Sequence, residues 1–365
     1  MKVLQIINSL SAGGAEKLLV NSVVEYRKMG IDVDILVLKG GVSPFLDKLE
    51  PFQEINVFAL GDQTNVYNPL HIFKIYDFLN NYNVVHVHLF PVLYWVALAD
   101  MLRIGKRNYK LVYTEHNTTN RRRDKLLFKF IDKILYRRFH KIVSISDAVD
   151  VNLRNHLGKS FDNIIKIYNG IDLKEIYEAI PYSKEALDFT EMDKLIIQVS
   201  SFTAQKDQLT LIKSLEFLPK NYFLILVGDG ELKSSCIKKT EELRLSDRVK
   251  FYGIRKDVPK LLKSVDVIVL SSHFEGLSLS SVEGLASGKP FIASDVPGLT
   301  EVVEGAGLLF EDANENQLAE LILKLFDDNQ YYSETVNQCM ARAKKFDIIK
   351  MTKEYYNLYK ELSLV

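Results

Sequence analysis

Short runs of apolar residues recur along the chain, separated by longer amphipathic stretches. The first set comprises Val3 to Ile7, Val33 to Leu38, Val84 to Val87, Leu111 to Thr114, Lys141 to Ile145 and Ile164 to Ile167. These runs lack the strict apolar–polar alternation of a strand with one wet face, so they predict strands covered on both faces. The intervening segments are of helix length, which suits parallel pairing through helical crossovers. The pattern restarts at Leu195 to Val199, Phe223 to Val227, Val249 to Tyr252, Val265 to Leu270 and Pro290 to Ala293. Two doubly wound α/β domains are therefore predicted, over residues 1–172 and 173–345. Asn169-Gly170-Ile171-Asp172 marks the boundary, and a linker runs on to about Asp193. In the tail, Tyr355, Tyr356 and Tyr359 interleave with charges at helical spacing. A helix from about 346 to 365 is expected there, packing back on another surface, with the first domain as the candidate.

Size supports the same division, because 365 residues exceed what one ordinary core holds. With 47% hydrophobic and 26% charged residues, both halves are ordinary globular material. The formal charge of zero hides an asymmetry. Residues 1–172 carry 23 Lys and Arg against 17 Asp and Glu, and the remainder carries 24 against 30. Such polarity suits an anionic surface or substrate on the N-terminal side, and unevenly scattered surface charge explains it nearly as well. The two cysteines, Cys236 and Cys339, offer neither a disulfide framework nor zinc spacing, the pattern of a reducing cytosol. The opening Met1-Lys2-Val3-Leu4-Gln5-Ile6-Ile7 meets polar Asn8 too early for a signal-peptide core and reads as a first strand. Val84 to Leu102 contains His86, His88, Pro91 and Asp100, so a buried strand followed by a helix explains it better than a membrane span.

Candidate chemistry gathers just past the apolar runs. Glu275-Gly276-Leu277-Ser278-Leu279-Ser280-Ser281-Val282-Glu283 follows the run ending at Leu270. A strand end, a turn and a helix start make an anion pocket, here with a carboxylate on each side. Ser280-Ser281-Val282-Glu283 also spells a capping box, so Glu283 has two readings. Glu275 lies in the loop, where no helix needs a cap. After the first strand, Gly13 and Gly14 in Ser9-Leu10-Ser11-Ala12-Gly13-Gly14-Ala15-Glu16-Lys17 let backbone N–H groups approach a ligand, or simply make a tight turn. The dinucleotide fingerprint is absent. Lys206 stands past the strand ending at Val199 and reads equally as a phosphate contact or a solvated lysine. Val227-Gly228-Asp229-Gly230-Glu231 occupies the same edge, with Gly228 serving the turn first and a nucleotide second. His86 and His88 share one strand face, but no further ligands accompany them; contact of His88 with an acceptor substrate is the better reading. From Arg121 to Lys141 there are nine Lys and Arg against Asp124 and Asp132, with Leu126, Leu127, Phe130, Ile131, Ile134, Leu135 and Phe139 at helical spacing. That pattern fits an interfacial helix on anionic lipid, with Arg121 and Arg122 at the acceptor, or a core helix with a solvated basic face. No aromatic interleaving supports nucleic-acid binding.

The block from Val265 to Val303 resembles the family 4 retaining glycosyltransferases. It carries Glu275-Gly276-Leu277, Glu283, Ala286-Ser287-Gly288-Lys289-Pro290 and Ala293-Ser294-Asp295-Val296-Pro297-Gly298. The resemblance extends to Gly13-Gly14-Ala15-Glu16, Thr114-Glu115-His116, Ser144-Ile145-Ser146, Tyr168-Asn169-Gly170-Ile171-Asp172 and Gly253-Ile254-Arg255-Lys256-Asp257-Val258-Pro259. It implies a GT-B fold, two Rossmann-like domains facing across a cleft, with acceptor on the first and nucleotide-sugar donor on the second. It further implies that Glu283 binds the ribose and Glu275 the donor sugar, while Gly276, Leu277 and Ser278 hold the diphosphate. Lys206 would neutralise the leaving group, with help from Gly13 and Gly14, and His116 would face the sugar. The family's arginine is Ser201 here, and Arg255 is the candidate substitute. No metal or other cofactor is expected, since lysine and helix dipole supply the positive charge; Asp32-Val33-Asp34 has the spelling of a metal motif but sits at a strand start. The expected protein is a cytoplasmic enzyme, in part peripheral to the membrane, acting on a glycan or lipid-linked saccharide in cell-surface polysaccharide synthesis. A nucleotide-sugar epimerase on the same architecture, or a sugar-nucleotide-binding subunit of weak activity, is the alternative.

Overall fold

The computed structural model describes residues 1–11, 13–41, 43–62, 65–117, 125–158, 160–276 and 278–364. It divides into two compact units, Met1–Gly170 with Ile348–Val365, and Ile171–Asp347.

The first unit is built on seven parallel strands, β1 (Lys2–Ile7), β2 (Asp32–Val37), β3 (Val57–Ala59), β4 (Val84–His88), β5 (Lys110–Glu115), β6 (Lys141–Ser144) and β7 (Ile164–Lys166), in the order β3-β2-β1-β4-β5-β6-β7. Its helices in chain order are α1 (Gly14–Lys28), α2 (His71–Leu79), α3 (Val92–Met101), α4 (Leu126–Tyr136) and α5 (Asp147–Leu157). Side chains of successive strand residues point to opposite faces. One face supplies Leu4, Ile6, Val85, Val87, Leu111 and Tyr113 to a core shared with Ile75, Val96, Leu135 and Leu153 of α2 to α5.

The second unit carries α6 (Leu173–Tyr177), α7 (Gln208–Ser214), α8 (Lys233–Glu242), α9 (Val258–Ser264), α10 (Leu279–Ala286), α11 (Thr300–Val303), α12 (Glu315–Asp327) and α13 (Asn329–Ala343). They cover six parallel strands, β8 (Lys194–Val199), β9 (Tyr222–Val227), β10 (Val249–Gly253), β11 (Val267–Leu270), β12 (Phe291–Ser294) and β13 (Leu308–Phe310), ordered β10-β9-β8-β11-β12-β13. The last helix, α14 (Ile348–Leu364), belongs to the first unit and packs against α1 and β4. In both sheets the strand order reverses beside the first strand, between β1 and β4 and between β8 and β11. Loops leaving the carboxyl ends of strands diverge there and open a crevice.

Two strands beyond those expected from the apolar runs, β3 and β13, are three-residue edge strands. Asp34 of the Asp-x-Asp spelling is buried inside the first unit, where it accepts hydrogen bonds from Tyr82 Oη at 2.8 Å and Asn56 Nδ2 at 2.9 Å. A second buried carboxylate, Asp132, joins three helices. Its Oδ2 lies 2.8 Å from His156 Nε2 of α5, and its Oδ1 accepts from Tyr94 Oη of α3. Replacing Asp132 by Ala takes the carboxylate away from buried His156, which is expected to cost the first unit about 1–3 kcal/mol. Urea denaturation of wild type and variant, followed by circular dichroism, measures this.

Candidate active site

In the second unit, the chain leaving β8 turns through Ser200 to Asp207 into α7. Asp207 has a φ of 41°, in the left-handed region, and its side chain caps α7. Oδ1 accepts from Thr210 N at 3.3 Å and Oδ2 from Thr210 Oγ1 at 2.5 Å. This cap fixes the start of α7 directly after Lys206, whose Nζ bonds Glu275 Oε1. Glu275 is buried, and Oε1 also accepts from Ser272 Oγ at 2.7 Å, while Oε2 lies 3.4 Å from Gln205 Nε2. Backbone bonds clasp the same loops: His273 N donates to Gln205 O at 2.8 Å and Glu275 N to Pro297 O at 3.1 Å. The approach at Pro297 requires glycine next to it. Gly298 has a φ of 88°, and a Cβ there would meet the Glu275 carbonyl oxygen at 2.1 Å. Lys206 and Glu275, expected as separate contacts, are one ion pair across the switch point of the sheet.

Helix α10 begins beside this pair. Its N-cap is Ser278, with an extended backbone and no side-chain cap, and Ser281 Oγ donates to Ser278 O. The capping box expected at Ser280 to Glu283 therefore does not form: the helix starts two residues earlier, which carries Glu283 past the first turn and out of reach of the N-cap amide. Gly276 and Ser278 flank Leu277, which lies outside the described residues, as do Arg121 and Arg122. The amides at the start of α10 leave an anion-attracting end next to Glu275.

Gly228 serves close packing. With φ at 136°, a Cβ there would lie 2.0 Å from Ser200 O, and Gly230 approaches Phe202 O in the same way. Arg255 is engaged elsewhere, its Nε and Nη2 reaching Asp257 at 2.8 and 2.6 Å, and this guanidinium holds the Asp257 carboxyl well below the usual range. Asp207, His273 and Asp312 form the one set of three metal-type ligands found among the described residues. Both ring nitrogens of His273 already face carboxylates, Nδ1 at 2.8 Å from Asp312 and Nε2 at 3.7 Å from Asp207, and burial raises the Asp207 carboxyl. An ion there would have to displace these contacts and the cap of α7.

In the first unit, Gly13 is the N-cap of α1, and a Cβ on it would meet Glu16 Oε2 at 2.2 Å, so this glycine admits the Glu16 carboxylate to the turn. Burial raises the Glu16 carboxyl. Ser9 and Ser11 of that turn line a cavity of about 330 Å3 together with Lys39, Gly40, Ser43 and Leu46. The residues after β2 went unremarked in the sequence, although Lys39-Gly40-Gly41 past an apolar run is the same kind of signal as Gly13-Gly14. His116, just past β5, has Nε2 at 3.0 Å from His88 Nδ1, and His88 Nε2 lies 2.8 Å from Gln5 Oε1. With both ring nitrogens bonded inside the unit, His88 supports His116 and has no ring nitrogen left for an acceptor. Helix α4 splits its apolar residues: Leu135 is buried and Ile131 packs on the core, while Leu127 and Phe130 are 68% and 66% exposed and Ile134 is exposed beside them. The helix is thus packed on the core and carries apolar as well as basic residues on its outer side.

Comparison with known proteins decides what this geometry belongs to. The model described as Glycosyltransferase Family 4 matches residues 12–175, and that described as Glycosyl transferases group 1 matches residues 180–346. The chain belongs to the family 4 glycosyltransferases. One relative in this family is the N-acetylgalactosamine-N,N'-diacetylbacillosaminyl-diphospho-undecaprenol 4-alpha-N-acetylgalactosaminyltransferase of Campylobacter jejuni. It is 26% identical over 265 residues, 70% of this chain and 71% of the relative. Another is the UDP-Gal:alpha-D-GlcNAc-diphosphoundecaprenol alpha-1,3-galactosyltransferase of Escherichia coli, 24% identical over 68% of each chain. The structure of Anabaena HepE in complex with UDP and glucose has a TM-score of 0.85 at 24% identity, covering 99% of this chain and 100% of that one. The fold is accordingly that of the GT-B glycosyltransferases.

In this glycosyltransferase, burial lowers the His116 ring to about 4 and, with the neighbouring histidines, lowers His86 and His88 well below their ordinary value. The unfolded chain takes up protons on these rings as pH falls through about 6.5, whereas in the folded chain His116 resists until about 4 and His86 and His88 resist likewise, so stability is complete above about 6.5 and declines below it. The urea midpoint is expected to fall between about pH 7.5 and about pH 5, and to fall less in His86→Asn, which has one titrating ring fewer. Equal falls in both proteins would show that the His86 ring does not contribute to this pH dependence.

Proposed function

We propose that this glycosyltransferase moves a sugar from a nucleoside diphosphate donor, held by the second unit, to a hydroxyl of a lipid-linked saccharide, with retention of anomeric configuration. The observation that carries the proposal is the Lys206–Glu275 pair beside the start of α10, at the crevice where a doubly wound sheet binds its ligand. Lys206 and the first amides of α10 stabilise the diphosphate as the bond from the anomeric carbon to its oxygen breaks and the electron pair leaves with it. The acceptor oxygen bonds the same carbon, and its proton passes to the departing diphosphate. Glu275 orients Lys206 and accepts hydroxyls of the donor sugar, and Glu283 accepts those of the ribose. The positive charge comes from this lysine and helix end, without a metal. The C. jejuni and E. coli relatives are named for α linkages made on diphospho-undecaprenol saccharides, which supports both the retention and the acceptor class. Cell-surface polysaccharide synthesis is the setting this chemistry fits.

One observation favours a second reading, a sugar-nucleotide-binding subunit of weak activity. Ser201 replaces the family's arginine and Arg255 is tied to Asp257, so Lys206 is the one cation paired with Glu275 among the described residues. A lost charge-assisted contact is worth about 1.5–3 kcal/mol. Screening UDP-, GDP- and ADP-sugars by thermal shift identifies the donor, which at about 100 times its Kd should add about 2.7 kcal/mol to the second unit. With that donor, Lys206→Ala is expected to lower turnover about 10²- to 10³-fold. Donor binding by wild type without any transfer or hydrolysis would favour the binding subunit instead.

The acceptor reading extends to an anionic bilayer. No described helix is long and apolar enough to cross a membrane. The outward Leu127, Phe130 and Ile134 of α4, flanked by Lys125, Lys129 and Lys133, form the mixed apolar and basic face of an interfacial helix. In flotation with phosphatidylglycerol vesicles, wild type should rise with the lipid and Leu127→Ser/Phe130→Ser should remain below. Equal partition of the two would remove α4 from the membrane contact.

A further inference from the structure

The face of the first sheet opposite its apolar core is polar at its centre. Gln5 of β1 pairs in register with His86 of β4, and His88 pairs with Thr114 of β5; all four side chains are buried. Buried polar groups destabilise unless each is hydrogen-bonded, so the helices covering this face must supply partners. They do so with tyrosines. Tyr359 of α14 lies 2.5 Å from His86 Nδ1 and 3.1 Å from Gln5 Nε2, and Tyr355 lies 3.0 Å from Thr114 Oγ1. Tyr26 of α1 adds a bond to the Tyr359 hydroxyl.

Donors and acceptors can be followed through this row because an amide is asymmetric. The Gln5 amide nitrogen donates to Tyr359 Oη, whose own hydrogen goes to His86 Nδ1. His86 is then protonated on Nε2, which donates to Thr114 Oγ1 at 2.7 Å. At its other end Gln5 offers Oε1, so His88 carries its proton on Nε2 and accepts at Nδ1. The only donor there is His116 Nε2–H. His116 Nδ1 is left as a lone pair on a partly exposed ring at the carboxyl edge of β5, with no bond to it among the described residues.

We infer that Gln5 and Tyr359 are positioning residues. Through this relay they hold His88 and His116 each protonated on Nε2, so that His116 presents Nδ1 to accept a hydrogen bond from a substrate hydroxyl. The inference rests on the proposed transfer reaction, with His116 facing the sugar as the family resemblance implies. It gives α14 a part in the site beyond packing, since the relay's anchor stands on that helix.

Long-range 1H–15N correlation spectra of histidine-labelled full chain test the relay without any ligand. In wild type, His116 is expected to show a protonated Nε2 and an acceptor-type Nδ1. Tyr359→Phe, which removes the anchor, and Gln5→Met, which removes the amide, should each move His88 and His116 toward a mixture of tautomers. Turnover of the sugar nucleotide selected by the thermal-shift screen should fall about tenfold in each, with donor KM little changed, and the double variant should be no slower than the slower single one. A wild-type His116 protonated on Nδ1, or tautomers unmoved by both substitutions, overturns the relay. A relay that behaves as described, in a chain whose His116→Ala variant transfers sugar at the wild-type rate, overturns the contact of His116 with substrate instead.

Discussion

A carboxylate taken out of water must be matched by charge and hydrogen bonds where it lies, and Glu275 is such a group at the ligand-bearing edge of the second sheet. Its partners come from two different loops. Lys206 and Gln205 follow β8, and Ser272 follows β11. Its backbone is seated on a third loop, where Pro297 accepts its amide and Gly298 leaves room for its carbonyl. One buried acid thus determines how three strand ends converge. The same convergence accounts for the left-handed Asp207, because α7 must begin immediately after the lysine that Glu275 holds.

The first unit meets a related constraint differently. A parallel sheet covered on both faces is ordinarily apolar on both. Here one face is apolar and the other carries Gln5, His86, His88 and Thr114, so stability depends on three tyrosine hydroxyls delivered by α1 and α14. Because α14 reaches this sheet after the chain has completed the second unit, the first cannot satisfy its own central strands until the chain has been made to its last helix. Polar networks of this kind are stabilising only when complete.

The apolar runs located eleven strands within one or two residues of their ends, because a strand buried on both faces leaves a contiguous signal. β3 and β13 left none: Val57–Ala59 is exposed throughout, and Leu308–Phe310 is only three residues long at an edge. In the site, strand ends and loop residues were legible one by one. Their pairing was not, since Lys206 and Glu275 are brought together by a strand order that runs β9-β8-β11 and by no feature of spacing. Glu283 shows the converse. The letters Ser-x-x-Glu were present, but the backbone entered the helix at Ser278, and the box lost its geometry. The outward apolar stripe of α4 was also hidden, because a sequence with seven apolar residues at helical spacing does not say which of them face the core.

The pairing has a consequence for how a single lysine could serve a diphosphate. Lys206 bonded to Glu275 is close to neutral at a distance, so in that state the attraction for an anion comes mainly from the amide end of α10. On the proposed reading, hydroxyls of the donor sugar donate to the Glu275 oxygens and take over part of the work now done by the lysine. Lys206 is then freer to turn toward phosphate oxygens as negative charge grows on them. A contact that strengthens with the developing charge accelerates the step more than one made equally in the ground state. Recognition of the sugar and stabilisation of the leaving group would share one ion pair, an arrangement in which the missing arginine at Ser201 weakens the site without removing its logic.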